Sequence, residues 1–172
     1  MTKPILILAV PPIVVGCLSC VSVLLKLPMP VIKAHGRGPT VYSEPLLSEV
    51  IEKERTRAKP HLPKGLIEAV ISHESGFNET AFNPERASKC YRRYADEKLC
   101  GSSGLMQTVA FYHGTPRDWR DSIRKGTAKL RSCYRKAGSI WRTAKCYNGT
   151  GPRAEKYADR LVLEFNIWKK RT

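Results

Sequence analysis

The sequence predicts a small all-α domain behind an N-terminal apolar segment. Apolar residues after residue 43 recur at the three- and four-residue spacing of amphipathic helices. No segment shows the sustained alternation of a half-buried strand, and no internal repeat is visible. A length of 172 residues suits one domain with an appendage. We therefore divide the chain into residues 1–27, a linker over residues 28–43 and a helical domain over residues 44–172.

The N-terminal segment is long enough to span a bilayer. Pro4 to Leu25 form 22 residues without a charge. An uncleaved signal anchor is the first interpretation of residues 1–27, and a cleaved signal peptide is another. The stretch Val14-Val15-Gly16-Cys17 also resembles the cleavage site of a bacterial lipoprotein, in which Cys17 would be lipidated. The prolines and glycines of residues 28–43 then indicate the linker.

Two apolar stripes predict the first two helices of the domain. Pro60 and Pro63 end the first helix and begin the second, because proline suits the first position of a helix. Gly76 is a natural end to the second helix. The stripes consist of Leu46, Leu47, Val50 and Ile51, and then of Leu66, Ile67, Val70 and Ile71.

Three further helices are predicted towards the C-terminus. Gly138-Ser139 separates a long helix from a short one, which ends near Asn148-Gly149. The last helix follows Pro152. The three apolar sets are Trp119, Ile123, Leu130, Tyr134 and Ala137, then Ile140, Trp141 and Ala144, and then Tyr157, Leu161, Phe165 and Trp168.

The charge of the chain predicts an acidic partner. Lys and Arg number 30 against 15 Asp and Glu, a formal net charge of +15. The excess is concentrated between Arg86 and Lys145, where 15 basic residues accompany 4 acidic ones. Such a field attracts nucleic acid, an anionic lipid surface or an acidic cell-wall polymer, and charge alone does not distinguish them.

The cysteines favour disulfides in an oxidising compartment. Two of the six lie in the apolar segment, which leaves an even number in a small domain. The four allow three pairings, of which the two local ones are the simplest, and four free buried cysteines are the alternative. No CxxC pair occurs in the predicted domain, so we predict no metal site. The candidate pairs are Cys90 with Cys100 and Cys133 with Cys146.

Glu74 is the most informative single residue. It lies four residues after Val70 and three after Ile71, and it therefore continues the buried stripe of its own helix. Burial raises the pKa of a carboxyl group, and the negative end of the helix dipole acts in the same direction. Both effects favour the protonated form that a general acid needs. The alternative is that Glu74 points outwards at a frayed helix end.

Three short elements follow one another along the chain: Glu74-Ser75-Gly76-Phe77-Asn78 at a helix end, Gly104-Leu105-Met106-Gln107, and Tyr147-Asn148-Gly149, with Tyr157 after them. Together they resemble the elements of the lytic transglycosylase family, in its soluble-lytic-transglycosylase (SLT) catalytic domain. Each element is weak evidence, but their order is that of the family. The resemblance covers about residues 44–168 and implies a lysozyme-like helical fold, as in goose-type lysozyme, with a groove for a glycan strand.

The same resemblance implies the chemistry of Glu74. The carboxyl group would protonate the bond between N-acetylmuramic acid and N-acetylglucosamine in peptidoglycan. It would then act as the base while the 6-hydroxyl of the sugar attacks, which leaves a 1,6-anhydro end. Ordinary glycosidases use two carboxylates. We find no second acid in a matching motif, and we interpret Glu79 and Glu85 as solvated surface charges. No cofactor is expected.

The resemblance also assigns the walls of the groove. Gln107 would hydrogen-bond the substrate, Tyr147 would line the groove beside Glu74, and Tyr157 would complete the pocket. Each has a plainer interpretation, since both tyrosines fall on apolar stripes and Gln107 could be a surface residue. His73 is adjacent to the acid, but the family pattern gives its position no role.

Two further residues would support the loop and the helix end, and a third departs from the family. Ser75 and Asn148 would hold the catalytic loop and the end of its helix in place. Asn83, also a predicted substrate-binding residue, stands where the family usually has a serine. Cys146 replaces the usual small residue before Tyr147, which supports a bridge from Cys133 to Cys146.

Two departures affect the groove more strongly. The family usually crosses the interval after Asn83 in a few residues, whereas here Pro84 to Cys100 form a basic insertion. We hypothesise that a disulfide closes this insertion beside the cleft, where it could bind cell-wall carboxylates or a partner. Thr108 and Val109 follow Gln107 where family members usually have methionine and proline, so a methionine that packs on the sugar is missing.

The sequence therefore predicts a peptidoglycan lytic transglycosylase anchored to the inner membrane in the periplasm of a Gram-negative cell. A lipoprotein or a phage virion component is the alternative location. The small size resembles enzymes that open the cell wall for a secretion, conjugation or phage machine. The competing functions are a goose-type muramidase and a non-catalytic module that binds peptidoglycan or nucleic acid. Nucleic acid is not an expected partner, because a secreted chain with disulfides rarely meets it.

Overall fold

The computed structural model describes residues 44–172, with side chains from residue 46. The predicted apolar segment, its lipidation site and the linker lie outside the described residues. Within the described part, no helix has the length and apolar character needed to cross a membrane.

Five long helices form the framework of the described part, and they match the five helices predicted from the apolar stripes. Their buried apolar faces meet in one core, at whose centre the apolar residues of the second helix are fully buried. The helices are α1 (Glu44–Thr56), α2 (Leu66–Ser75), α6 (Trp119–Ala137), α7 (Ile140–Asn148) and α8 (Pro152–Trp168). The prediction of a mainly α-helical domain is therefore confirmed.

The two ends of α2 are fixed by glycines in left-handed conformations. Gly65 precedes α2 with a φ of 80°, and any Cβ there would collide with the backbone of Trp168 and Lys169 at the end of α8. Gly76 ends α2 with a φ of 58°, and its N–H donates to the carbonyl of Ser72. The close approach of Gly65 to α8 and the end of the helix at Gly76 together fix the position of the last turn of α2. This turn contains Glu74.

Helix α6 packs against α1 and α7. Asp118 caps it by accepting from the N–H of Asp121, and Gly138 ends it with a φ of 68°. Gly126 allows a loop to pass close to the helix, since any Cβ there would collide with Met106. This loop contains the Gly-Leu-Met-Gln element, so α6 holds that element against the core.

The structure contains both local disulfides that the sequence favoured. Cys133 joins Cys146 with a Cα–Cα distance of 5.6 Å and ties α6 to α7. Cys90 joins Cys100 with a Cα–Cα distance of 5.4 Å and closes the insertion. The alternative prediction, four free cysteines, is therefore wrong.

A small antiparallel sheet was not predicted. Its order is β1-β2-β3, with Phe82 opposite Ser103 and Ser102 opposite Val109. Strands of two residues are too short to produce an alternating pattern. The strands are β1 (Phe82–Asn83), β2 (Ser102–Ser103) and β3 (Thr108–Val109).

Three short helices border this sheet. The insertion forms α3 (Lys89–Tyr94) and α4 (Glu97–Cys100), and α5 (Ala110–His113) follows β3 directly. Ser88 caps α3 and Asp96 caps α4, each by accepting a backbone N–H. The basic insertion is therefore an ordered helical unit between β1 and β2.

Candidate active site

The carboxyl group of Glu74 lies in a cleft with a volume of about 430 Å³. Six of the seven predicted site residues line this cleft, and the seventh, Tyr157, is buried and donates a 2.7 Å hydrogen bond from its hydroxyl to Glu74 Oε1. The six are Glu74, Ser75, Asn83, Gln107, Tyr147 and Asn148. Side chains from distant parts of the chain therefore meet around one acid.

Burial raises the pKa of Glu74 to about 7. The hydrogen bond from Tyr157 and the positive charge of Lys129 lower this pKa, and the negative charge of Glu85 raises it. Near neutral pH the protonated and ionised forms of Glu74 are therefore both populated. A group in this state can donate a proton and then accept one.

Ser75 connects the end of α2 to the Gly-Leu-Met-Gln loop. Its Oγ lies 2.9 Å from the carbonyl oxygen of Leu105 and 3.1 Å from that of Ile71. Because the residue after the acid is tied to this loop, the position of Glu74 depends on that of the opposite wall.

Tyr147 forms a buried part of the cleft wall. Its hydroxyl donates a 2.6 Å hydrogen bond to the carbonyl oxygen of Met106, and its side chain is among the largest that are fully buried. The hydroxyl is thus used to hold the Gly-Leu-Met-Gln loop against α7. Lys129 lies over the ring, with Nζ 4.4 Å from the ring centroid.

Gln107 lines the cleft, but its side-chain amide is bonded to the protein. Nε2 donates to the carbonyl oxygens of Ala81 and Gly104 at 2.9 and 2.8 Å, and Oε1 accepts from Ser102 Oγ at 3.1 Å. Gln107 has a φ of 44°, a left-handed conformation that these bonds stabilise. An amide oxygen has two lone pairs, so Oε1 keeps one beyond the bond to Ser102. The role of Gln107 in binding the substrate stays a prediction.

Asn83 and Asn148 lie on the exposed rim of the cleft. Asn83 is the last residue of β1, and its Nδ2 donates to Glu85 Oε1 at 3.1 Å. Asn148 is the last residue of α7. Both side chains are accessible to a ligand in the cleft, and their part in binding stays a prediction.

The Transglycosylase SLT domain family model matches residues 51–169, which is more than half of the chain. The chain belongs to this family. The resemblance to lytic transglycosylases is therefore confirmed at the level of the family, which supports peptidoglycan as the substrate. Comparison with curated proteins and with solved structures gave no match.

Glu85 corrects one interpretation made from the sequence. We interpreted it as a solvated surface charge, but in this SLT domain it is half-buried, lines the cleft and interacts electrostatically with Glu74. Its backbone has a φ of 47°, and Asn83 bonds both its backbone N–H and its carboxylate. The turn after β1 therefore brings a second carboxylate to the cleft, which no motif in the sequence indicated.

Lys129 is a cleft residue that was not predicted from the sequence. It lies on α6, is half-buried and lines the cleft, and burial lowers the pKa of its ammonium group. A signal was present in the sequence, since Lys129 lies three residues after Gly126 and four before Cys133, both of which are buried. A cation near Glu74 favours the ionised form of that acid.

His73 packs on the tyrosine that contacts the acid. Its ring meets that of Tyr157 edge to face, with centroids 4.8 Å apart, and burial lowers its pKa. The neutral ring thus supports the position of Tyr157. In the described residues of this SLT domain, no group of three or more His, Cys, Asp or Glu side chains could hold a metal ion.

Proposed function

We propose that this chain is a peptidoglycan lytic transglycosylase that cleaves the β-1,4 bond between N-acetylmuramic acid and N-acetylglucosamine and leaves a 1,6-anhydro end. The observation that carries the proposal is the half-buried carboxyl group of Glu74 in the cleft, with a pKa of about 7. The family assignment supports the substrate class. The remaining steps follow from the chemistry of the bond.

In the first step, protonated Glu74 gives its proton to the glycosidic oxygen. The bond from C1 of the muramic acid to that oxygen breaks, and the electron pair leaves with the oxygen, which becomes the 4-hydroxyl of the glucosamine. Positive charge develops on the ring oxygen and C1. Glu74 is then a carboxylate beside this charge, which it stabilises.

In the second step, the 6-hydroxyl of the same muramic acid attacks C1. Its proton passes to the carboxylate of Glu74, a bond forms between O6 and C1, and the acid returns to its starting state. One carboxyl group thus acts first as acid and then as base, which requires a pKa near the working pH. The hydrogen bond from Tyr157 and the charge of Lys129 stabilise the carboxylate between the two steps.

The presence of Glu85 in the cleft favours a second candidate, a muramidase that uses water. An inverting glycosidase needs a second carboxylate to take a proton from the attacking water. Glu85 lines the same cleft as Glu74 and is the side chain available for that role. We place this candidate second, because the family of the chain is that of the transglycosylases.

Mass spectrometry of digested sacculi separates the two candidates. A transglycosylase releases muropeptides with 1,6-anhydro ends, whereas a muramidase releases reducing ends that are heavier by one water. We expect anhydro ends from the wild type and from Glu85→Gln. Reducing ends that disappear in Glu85→Gln would instead establish the muramidase. A wild type that binds sacculi and releases nothing would indicate a binding module.

We further propose that the chain works in the periplasm and is anchored to the inner membrane through residues 1–27. Two disulfides suit an oxidising compartment such as the periplasm, and peptidoglycan, the proposed substrate, lies in the periplasm. Local opening of the cell wall for a secretion, conjugation or phage machine is the role that we propose there. Fractionation of cells that express the full chain tests the location, and release into the medium or recovery from the cytosol would contradict it.

A further inference from the structure

Three aromatic rings form an exposed patch on the outside of the SLT domain. Tyr94, Phe111 and Tyr112 are 43, 42 and 69% exposed. The rings of Tyr94 and Phe111 lie 5.5 Å apart between centroids, and those of Phe111 and Tyr112 lie 4.9 Å apart and nearly perpendicular. We call these three residues the aromatic platform. Contiguous exposed apolar surface of this kind commonly marks a binding site.

The platform is held in place by the disulfide-closed insertion. Tyr94 is the last residue of α3, and the Cys90–Cys100 disulfide joins α3 to α4. Helix α4 packs on α5, which carries Phe111 and Tyr112. A ligand that stacks on these rings therefore loses little affinity to the ordering of the protein.

The platform adjoins the cleft that contains Glu74. Val109 lines the cleft, and α5 begins at the next residue. Phe111 therefore lies two residues along the chain from a residue of the cleft wall. Phe82 also lines the cleft and is 47% exposed. Its ring lies close to the backbone of Gly101, which follows α4 and has no side chain.

Positive charge accompanies the rings. The guanidinium of Arg93 lies over Tyr94, 5.2 Å from the ring centroid, and Arg93 is exposed. Residues 84–100 contain 5 basic and 3 acidic side chains, and one of the acids, Glu97, pairs with Arg86. A ligand with both sugar rings and carboxylates suits this surface. The carbon-bound hydrogens of a pyranose face pack on the negative face of an aromatic ring, and the carboxylates meet the arginine.

We propose that the aromatic platform is a second binding site for the peptidoglycan strand, outside the catalytic cleft. Sugar rings of the strand stack on Phe111 and Tyr112, and Arg93 pairs with carboxylates of the stem peptides. The site retains the polymer while the cleft cleaves it. This inference rests on the proposed function in one respect, namely that the strand bound here is the strand that Glu74 cleaves.

Co-sedimentation with purified sacculi tests the platform without cleavage. The full chain is used in detergent, and every protein carries Glu74→Gln so that nothing is cleaved. The test variant is Phe111→Ala/Tyr112→Ala. The control variant is Leu163→Ala/Ile167→Ala, which removes two exposed apolar side chains from α8. We expect about tenfold weaker binding for the first pair and no change for the second. Tyr112→Trp, which keeps a ring, is expected to bind as the parent does. Circular dichroism checks the fold of each variant.

Insoluble chitin, an uncharged polymer of N-acetylglucosamine, separates the contribution of the rings from that of the charge. Loss of the rings is expected to weaken binding to both polymers, whereas Arg93→Ala is expected to weaken binding to sacculi alone. Equal binding of the ring variant and the control variant would overturn the proposal. So would a wild type that binds anionic phospholipid vesicles or single-stranded DNA through these rings and leaves sacculi unbound.

The outcomes distinguish the platform from the catalytic proposal. Binding to sacculi that depends on the rings, in a wild type that releases no muropeptides, supports the platform and overturns the catalytic proposal. If the wild type releases anhydro products and its binding does not depend on the rings, the catalytic proposal is supported and the platform is overturned.

Discussion

Tyr157 donates a 2.7 Å hydrogen bond to Glu74 Oε1 and so connects α8 to the last turn of α2. The bond stabilises the carboxylate, whereas burial stabilises the protonated acid, and burial is the larger effect. The balance leaves the pKa of Glu74 at about 7.

The rate of sacculus solubilisation is expected to fall as pH rises through about 7, because the first step needs protonated Glu74. Lys129→Met is expected to move this fall to higher pH, since the ammonium lowers the pKa of Glu74. Glu85→Gln is expected to move it to lower pH, since that carboxylate raises the pKa. Initial rates across the pH range measure both shifts.

Lys125→Met is the matched control for Lys129→Met. Lys125 lies one turn earlier on α6, where it pairs with Asp121 and donates to the carbonyl of Gly114. Its replacement is expected to leave the pH profile where it is. Equal profiles for the wild type and Lys129→Met would show that Lys129 does not act on Glu74.

Tyr157→Phe removes one hydroxyl and keeps the ring that packs on His73. The carboxylate of Glu74 loses its donor, so its pKa is expected to rise. The maximal rate is expected to fall roughly tenfold, because a hydrogen bond to a charged group contributes about 1.5–3 kcal/mol. Titration of Glu74 by NMR and the pH dependence of the rate measure these effects.

Tyr147→Phe gives the contrasting result. Its hydroxyl holds the carbonyl of Met106, so its loss is expected to lower the free energy of unfolding by about 1–3 kcal/mol. The pH profile is expected to keep its position. If Tyr157→Phe behaved in the same way as Tyr147→Phe, its hydroxyl would be structural and would not tune the acid.

Glu74 is expected to reduce stability at and above neutral pH. Its pKa is about 7 in the folded protein against an ordinary value of 4.5, so the folded state binds the proton more tightly. The bound proton therefore stabilises the folded state relative to the unfolded one. This stabilisation is complete below pH 4.5 and is lost as pH rises through 7. At pH 8, Glu74→Gln is expected to be more stable than the wild type by up to about 3 kcal/mol.

Thermal unfolding at pH 8 and at pH 4 checks this sign. The advantage of Glu74→Gln is expected to shrink towards the lower pH, where the wild-type acid is protonated. Glu49→Gln, at an exposed position on α1, serves as a control for a general effect of charge. A variant that is less stable than the wild type at pH 8 would mean that burial does not disfavour the carboxylate.

The disulfide between α6 and α7 is expected to stabilise the core. Replacing Cys133 and Cys146 by serine removes a link with a sequence separation of 13. The free energy of unfolding is expected to fall by about 2–4 kcal/mol, as measured by urea denaturation. The serine variant of Cys90 and Cys100 is the comparison, and it is expected to release the insertion while the core helices stay folded. Equal stability of the oxidised and reduced wild type would contradict both links.

Periodicity was sufficient to predict the framework but not the whole site. The stripe of α2 predicted both the helix and the inward position of Glu74, which is half-buried at the end of that face. The strands β1, β2 and β3 escaped prediction, since two residues are too few to show a period. Glu85 reaches the cleft through a left-handed turn after β1, a geometry that side-chain pattern does not encode.

The internal bonding of Gln107 shows a related limit. The motif identified the position, but the bonds of its amide to Ala81, Gly104 and Ser102 come from the closing of the small sheet. The order of motifs in the sequence thus predicts which residues meet. It does not predict which of their polar groups are left for a ligand.

The most direct test of the central claim is the digestion of purified sacculi by the wild type and by Glu74→Gln in parallel. Muropeptides are counted and weighed by mass spectrometry. We expect anhydro-ended products from the wild type and a rate lower by at least about a hundredfold for Glu74→Gln, which still binds sacculi. Release of the same products at the same rate by Glu74→Gln would show that Glu74 is not the catalytic acid.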